Sequence, residues 1–193
     1  MNLAKAMGLF LTFLCYTTTL TSQSIFINEF MASNDATIAD ENGEFDDWVE
    51  IYNAGTAAFD IGGKFVTDDL SEWNQWQIPT DNPTLTTIPA GGYLILWFDG
   101  DEDQGVLHVS PKLGGGGEQI GIYDTDGTPI DTLTYGEQSQ DISEGRFPNG
   151  SLTFVKFASP TPGAANSEPA PEEVALPMVS QTGGLYNLSL IHI

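Results

Sequence analysis

The feature that most constrains this chain is its punctuation. Apolar and β-branched residues come in short runs, at 25–30, 48–53, 64–67, 76–78, 93–98, 119–123, 130–135 and 153–157. Turn-forming residues separate many of them: Ala90-Gly91-Gly92, Asp99-Gly100, the four glycines 114–117, Asp126-Gly127 and Pro148-Asn149-Gly150. Runs of this length with period-two alternation predict strands, and no amphipathic helix is legible between them. Seven or eight such strands predict an all-β sandwich or barrel. Asp124-Thr125-Asp126-Gly127, set between two runs, predicts a hairpin turn. In the run 48–53, period two turns Val49 and Ile51 inward and puts Trp48, Glu50 and Tyr52 on the opposite face. There Glu50 is either solvated or partly covered and paired.

Charge excludes whole classes of partner. Five basic residues stand against 27 acidic ones, a net charge of −22 over 193 residues. Binding to nucleic acid needs a basic footprint that neutralises phosphates, and this chain has none. An anionic membrane surface is disfavoured on the same ground.

The first 24 residues predict an export signal. Lys5 precedes an apolar stretch over 6–16 that is too short to span a bilayer. Ser22 and Ser24 then supply small residues for cleavage before Ile25. The expected location is secreted, extracellular or at the cell surface, with no membrane insertion after cleavage. The single cysteine, Cys15, leaves with the signal, and Leu14 before it argues against lipidation. The mature chain keeps four basic residues (Lys64, Lys112, Arg146 and Lys156) and all 27 acids, a net charge of −23.

Catalytic chemistry finds little to work with. His108 lies near Ser110 in sequence, yet no Gly-x-Ser-x-Gly elbow exists, and the expectation is a loop or strand-edge histidine. Zinc is not expected, with no mature cysteine and no histidine pair. Glycines 114–117 lack the Lys-Ser/Thr of a phosphate loop. The candidate chemistry is carboxylate. One cluster holds Asp40, Glu41, Glu44, Asp46 and Asp47 around Asn42-Gly43, a second holds Asp99, Asp101, Glu102 and Asp103, and a third Asp124 and Asp126. Oxygen ligands in loops suit Ca²⁺, and the candidate ligands are Asp40, Asn42, Glu44, Asp46, Asp99, Asp101 and Asp103. The competing reading is solvated turns whose Asp and Asn side chains cap local backbone. Arg146, the only guanidinium of the mature chain, is expected to pair with Asp47 or Glu50. Trp73 and Trp76, flanking Asn74-Gln75, read either as a sugar-stacking surface or as core and rim packing.

The runs also carry a family likeness. Ile27-Asn28-Glu29-Phe30-Met31-Ala32-Ser33-Asn34 is followed by Asp47-Trp48-Val49-Glu50-Ile51-Tyr52-Asn53 and Ile88-Pro89-Ala90-Gly91-Gly92-Tyr93. Asp126-Gly127, Ser143-Glu144-Gly145-Arg146-Phe147-Pro148-Asn149-Gly150 and Thr161-Pro162-Gly163-Ala164-Ala165-Asn166 close the series. In this order the motifs resemble the lamin-tail domain in its secreted bacterial form, over residues 25–166. The resemblance implies an immunoglobulin-like β-sandwich, typically a non-catalytic module of exported or surface multidomain proteins, and it carries no catalytic residues. Residues 167–175 form a Pro/Ala/Glu linker, and 176–187 resemble the truncated start of a chitobiase C-terminal-like β-domain. Residues 188–193 are similar to a translated sequencing adapter.

The reading is therefore a secreted, non-catalytic interaction or spacer module with a protein or surface-polysaccharide partner. Its alternatives are an accessory domain of a truncated extracellular enzyme, hydrolase or kinase-like, and a calcium-dependent adhesion module. Self-repulsion among the carboxylates opposes compaction and is screened within about 8–10 Å at physiological ionic strength. The melting temperature should accordingly rise by several degrees as NaCl is added from low ionic strength. Differential scanning calorimetry checks this, and a flat or falling series would contradict it.

Overall fold

The computed structural model describes residues 24–168. The expected export signal, except Ser24, nearly all of the expected linker and the segments after it lie outside the described residues. Twelve strands form among the described residues, in chain order: β1 (Ile25–Met31), β2 (Trp48–Asn53), β3 (Phe59–Asp60), β4 (Phe65–Thr67), β5 (Trp76–Gln77), β6 (Thr87–Ile88), β7 (Tyr93–Phe98), β8 (His108–Val109), β9 (Gln119–Tyr123), β10 (Pro129–Thr134), β11 (Ser143–Arg146) and β12 (Phe154–Phe157). Helix is confined to Pro83–Thr86 and a single 3₁₀ turn, Glu102–Gln104, among the described residues. No described helix is long and apolar enough to cross a membrane.

One sheet has six strands in the order β12-β11-β1-β2-β7-β8 and the other four in the order β10-β9-β4-β5. A two-stranded piece, β3-β6, completes the fold. All pairings are antiparallel except β7 with β8, which run parallel with Trp97 opposite His108. The core is formed by inward-facing residues of both sheets. Ile27, Phe30, Val49, Ile51, Leu96 and Phe98 come from the larger sheet, and Val66, Ile120 and Ile122 from the smaller. Burying each such side chain stabilises the fold by roughly 1.5–3 kcal/mol. Val49 and Ile51 point inward as their alternation requires. The Asp124–Gly127 hairpin forms as expected, with Gly127 N–H donating to the Asp124 carbonyl at 3.0 Å and Gly127 at φ +83°.

The sequence reading locates most strand centres and misses β3, β6, β8 and β11. These are two to four residues long, and Ser143–Arg146 reads Ser-Glu-Gly-Arg, with no apolar alternation to reveal it. Their strand character comes from pairing with neighbours already in place.

A bulge in β1 organises one side of the sandwich. Ile27 faces Ile51 and Glu29 faces Glu50, so Asn28 is the extra residue between them. The bulge lets Ile27 and Phe30, three apart, both reach the core. It also displaces the first half of β1 from β11, whose pairing covers only Glu29 and Phe30. Side chains take over there. Ile27 N–H donates to Asp131 Oδ2 at 2.8 Å, and Arg146 Nε donates to the Ile27 carbonyl at 2.8 Å. Arg146 Nη2 meets both Asp131 oxygens, at 3.2 and 2.9 Å. The guanidinium lies over the rings of Phe26 and Phe154. The expected pairing of Arg146 with Asp47 or Glu50 is thus corrected: the partner is Asp131 on β10, on the opposite sheet. Asp131 is only 15 residues from Arg146 in sequence, but the two strands belong to different sheets, and only the packing of those sheets brings the side chains together.

The outer face of β1 and β2 is not a solvated face. Trp48 packs with Met31 and Trp97 in a second apolar cluster. Glu29, Glu50 and Asn28 are fully buried beneath the segment 161–166. Thr161 Oγ1 donates to Glu29 Oε2 at 2.8 Å, Gly163 N–H to Glu50 Oε2 at 2.6 Å, and Asn28 Nδ2 to Glu50 Oε1 at 2.9 Å. Asn166 fills the same region, donating to the Asn28 and Arg146 carbonyls. Gly145 has no room for a side chain, since a Cβ there would lie 2.6 Å from the Asn28 carbonyl oxygen.

Two outcomes follow from these buried charges. Arg146→Ala leaves the Asp131 carboxylate buried without its cation and should destabilise by about 3–5 kcal/mol. Arg146→Lys keeps the charge, loses the fork and should cost less, both read by urea unfolding at pH 7. Burial pushes the Glu50 carboxyl from an ordinary 4.5 up to about 8; donation from Asn28 and Gly163 opposes the shift and the facing Glu29 adds to it. The native state then holds a proton that the unfolded state has released. This contribution to stability is complete below about pH 4.5 and is lost as pH rises through about 8. Between pH 5 and 8, stability of the parent should fall relative to Glu50→Gln by up to about 1.4 kcal/mol per pH unit. Mispairing of the Gln amide shifts the curve without changing its slope, so parallel curves would refute the assignment.

Candidate functional site

The structure brings the first two carboxylate clusters together at one end of the sandwich. The first occupies the loop between β1 and β2, and the second the loop joining the parallel strands β7 and β8. Asn42 Nδ2 donates across to Gln104 Oε1, and Gln104 Nε2 donates back to Glu44 Oε2 at 2.7 Å. The two loops therefore form one acidic surface from segments 60 residues apart.

Each predicted ligand has a definite place. Asp40 organises its own loop: Oδ1 accepts Asn42 N–H at 2.9 Å and Glu44 N–H at 2.7 Å. Burial pulls its carboxyl upward, but these donors outweigh that and hold it below its usual value. One ligand atom from each of Asp40, Glu44 and Asp46 falls within 4.8 Å of the others. Asp46 Oδ2 is buried with no hydrogen-bond partner. Burial first, then the charges of Asp99, Asp40, Glu44 and Asp101, raise the Asp46 carboxyl. Asn42 acts as a donor to Asp40 and Gln104. Asp101 and Asp103 are exposed and join neither carboxylate group found among the described residues.

Asp99 serves a different purpose from that expected of a loop ligand. It is buried, its Oδ1 accepts Asp101 N–H at 2.9 Å, and its Oδ2 meets His108 Nδ1 at 2.5 Å. Asp46, Asp47 and Asp99, with Lys112, line an open cleft of about 310 Å³ beside this pair. Burial raises the Asp47 carboxyl to about 6; Asn34 N–H donates to it and opposes the rise.

His108 is the residue the sequence undervalued. It does sit on an edge strand, as expected, but it is wholly buried and stacked near the Trp97 ring, with centroids 6.3 Å apart and planes inclined by 24°. Burial lowers the affinity of the imidazole for a proton. The bond and charge of Asp99, then Glu41, overcome this and raise it above its usual value. Nε2 lies 3.3 Å from Glu41 Oε1 and makes no hydrogen bond. An Asp–His pair suggests a hydrolase, but Nε2 faces Glu41, while the Ser110 hydroxyl bonds Glu102. The only signal in the sequence was the bracketing of a polar loop by Asp99 and His108.

The remaining candidates are structural. Asp124 pairs with Lys64 at 2.9 Å and Asp126 caps Thr128 N–H, as turn residues do. Trp73 packs edge-on to Phe65 and against Tyr123, and Trp76 is half-buried against the core. Both are packing residues, and the sugar-stacking reading has no exposed ring pair to rest on.

Two facing β-sheets around a single core, with loops gathered at the ends, define an immunoglobulin-like β-sandwich. The model of the lamin tail domain family matches residues 18–137, and the chain belongs to that family, whose domains are non-enzymatic. The strands β11 and β12 that complete the six-stranded sheet follow the matched stretch. Compared with curated proteins and with solved structures, the chain finds no match.

Proposed function

We propose that the chain is an exported, non-catalytic interaction or spacer module of a larger extracellular or surface protein. The observation that supports export is the start of β1. Its first residue, Ile25, is the residue that follows the predicted cleavage site. Cleavage there leaves every described strand whole and removes, among the described residues, only Ser24, whose carbonyl accepts Ala54 N–H at 2.7 Å. The cross-sheet ties described above use no disulfide, consistent with a mature chain that has no cysteine.

The working surface is the acidic end of the sandwich. A rigid frame positions it, and its charge selects neutral or cationic partners, such as a surface polysaccharide or a basic protein, over nucleic acid. Expressed in full in a secretion-competent host, the chain should appear in the medium or at the cell surface with Ile25 as its first residue. Mass spectrometry of the N-terminus reads this. Leu11→Arg, which breaks the apolar stretch of the signal, should hold the protein inside the cell. Export unaffected by Leu11→Arg, or a retained leader, would contradict the proposal.

A further inference from the structure

We propose that His108, Asp40 and Glu41 form a binding site for a divalent transition-metal cation, with Asp99 as the residue that orients the histidine. One ligand atom from each of the three lies within 4.8 Å of the others. Carboxylates at a loop surface would not make the case. The imidazole does, because its geometry points to an electrophile at Nε2.

His108 is fixed on two sides. Trp97 stacks near its ring with planes inclined by 24°, and Asp99, with a side chain only 1% exposed, binds Nδ1 at 2.5 Å. When Nδ1–H donates to that carboxylate, the lone pair is left on Nε2. This is the arrangement in which a buried carboxylate sets the tautomer and direction of a metal-ligating histidine. Nε2 is fully buried, is aimed at the Asp40–Glu41 corner and meets Glu41 Oε1 at 3.3 Å without the geometry of a formed hydrogen bond. Metal–ligand bonds of about 2.0–2.1 Å place neighbouring tetrahedral ligands about 3.3 Å apart. The observed separation of Nε2 from Glu41 Oε1 is 3.3 Å.

The donor set selects the ion. Ca²⁺ and Mg²⁺ take oxygen ligands, whereas an imidazole nitrogen with two carboxylates suits Zn²⁺ and its first-row neighbours. Three protein ligands leave a fourth position open, and Glu41, 61% exposed, gives solvent access to it. Gly105 borders the same corner, where a Cβ would lie 3.7 Å from Glu41 Oε1 and 3.8 Å from His108 Cδ2. The competing account is that a proton occupies Nε2 and His108 is an imidazolium held between Asp99 and Glu41. Metal titration separates the two.

The test is calorimetric titration of the full chain, stripped with chelator, using ZnCl₂, and CaCl₂ at matched ionic strength. The expected result is one Zn²⁺ per chain, undiminished by excess Ca²⁺, with affinity at least tenfold weaker in Glu41→Gln and in Asp99→Asn. Glu41 is exposed, so its variant keeps the fold even where His108→Ala does not. In parallel, the ¹⁵N resonance of His108 Nε2 should shift on addition of Zn²⁺ in the parent and not in Glu41→Gln. Absence of Zn²⁺ binding, binding unchanged in Glu41→Gln, or full competition by Ca²⁺ would overturn the proposal. Loss in Glu41→Gln with an unmoved His108 resonance would overturn it as well.

Discussion

The fold depends on how Arg146 and Asp131 handle the bulge in β1. An extra residue at Asn28 turns Phe30 into the core, but it detaches the Ile27 peptide from the neighbouring strand. Unpaired and buried, that N–H and C=O would each cost about 1–3 kcal/mol. Asp131 accepts from the one and Arg146 donates to the other, while the two side chains neutralise each other. Because Arg146 belongs to the larger sheet and Asp131 to the smaller, the repair of a local defect also sets how the sheets meet. In a chain this acidic, placing its one arginine inside the sandwich shows where a cation matters most.

The same bulge dictates what happens on the outer face. It brings Glu29 opposite Glu50, and like charges in directly paired positions repel. Water would screen them, but the segment 161–166 covers them instead. The cover supplies Thr161 as a donor to Glu29 and Gly163 as a donor to Glu50, and burial raises the Glu50 carboxyl toward its neutral form. The result is a face sealed by polar contacts, specific in geometry because each donor has an assigned acceptor. Trp48, Met31 and Trp97 seal the adjoining part by ordinary apolar packing.

With both faces closed, the end of the sandwich carries the chemistry that is left. The two acidic loops are tied together through Gln104, and the parallel strand β8 delivers His108 beneath them. Here the charge is concentrated, not dispersed. Asp46 is raised by four neighbouring carboxylates as well as by burial, a cost that a cation would relieve. The link from fold to the proposed site is therefore one of placement: paired strands hold two acidic loops side by side, joined through Gln104.

Much of this was written in the order of residues, and the rest could not be. Local pattern determined the strands with clear alternation, such as Trp48–Asn53 and Tyr93–Phe98, the inward set Val49 and Ile51, and the Asp124–Gly127 hairpin. Those features follow from side-chain period and turn chemistry, which act over a few residues. Charge, too, was legible: five bases against 27 acids make the chain strongly anionic without reference to any fold. Tertiary structure alone decided that Ser143–Arg146 is a strand, that Arg146 meets Asp131, that Glu50 is buried, and that Asp99 belongs to His108 and not to a ring of loop carboxylates. Each of these rests on partners that the sheets bring together, from Asp99 and His108, nine residues apart, to Glu50 and Gly163, 113 apart. No window along the chain contains that information, because the energy of a buried charge is set by what the fold places around it.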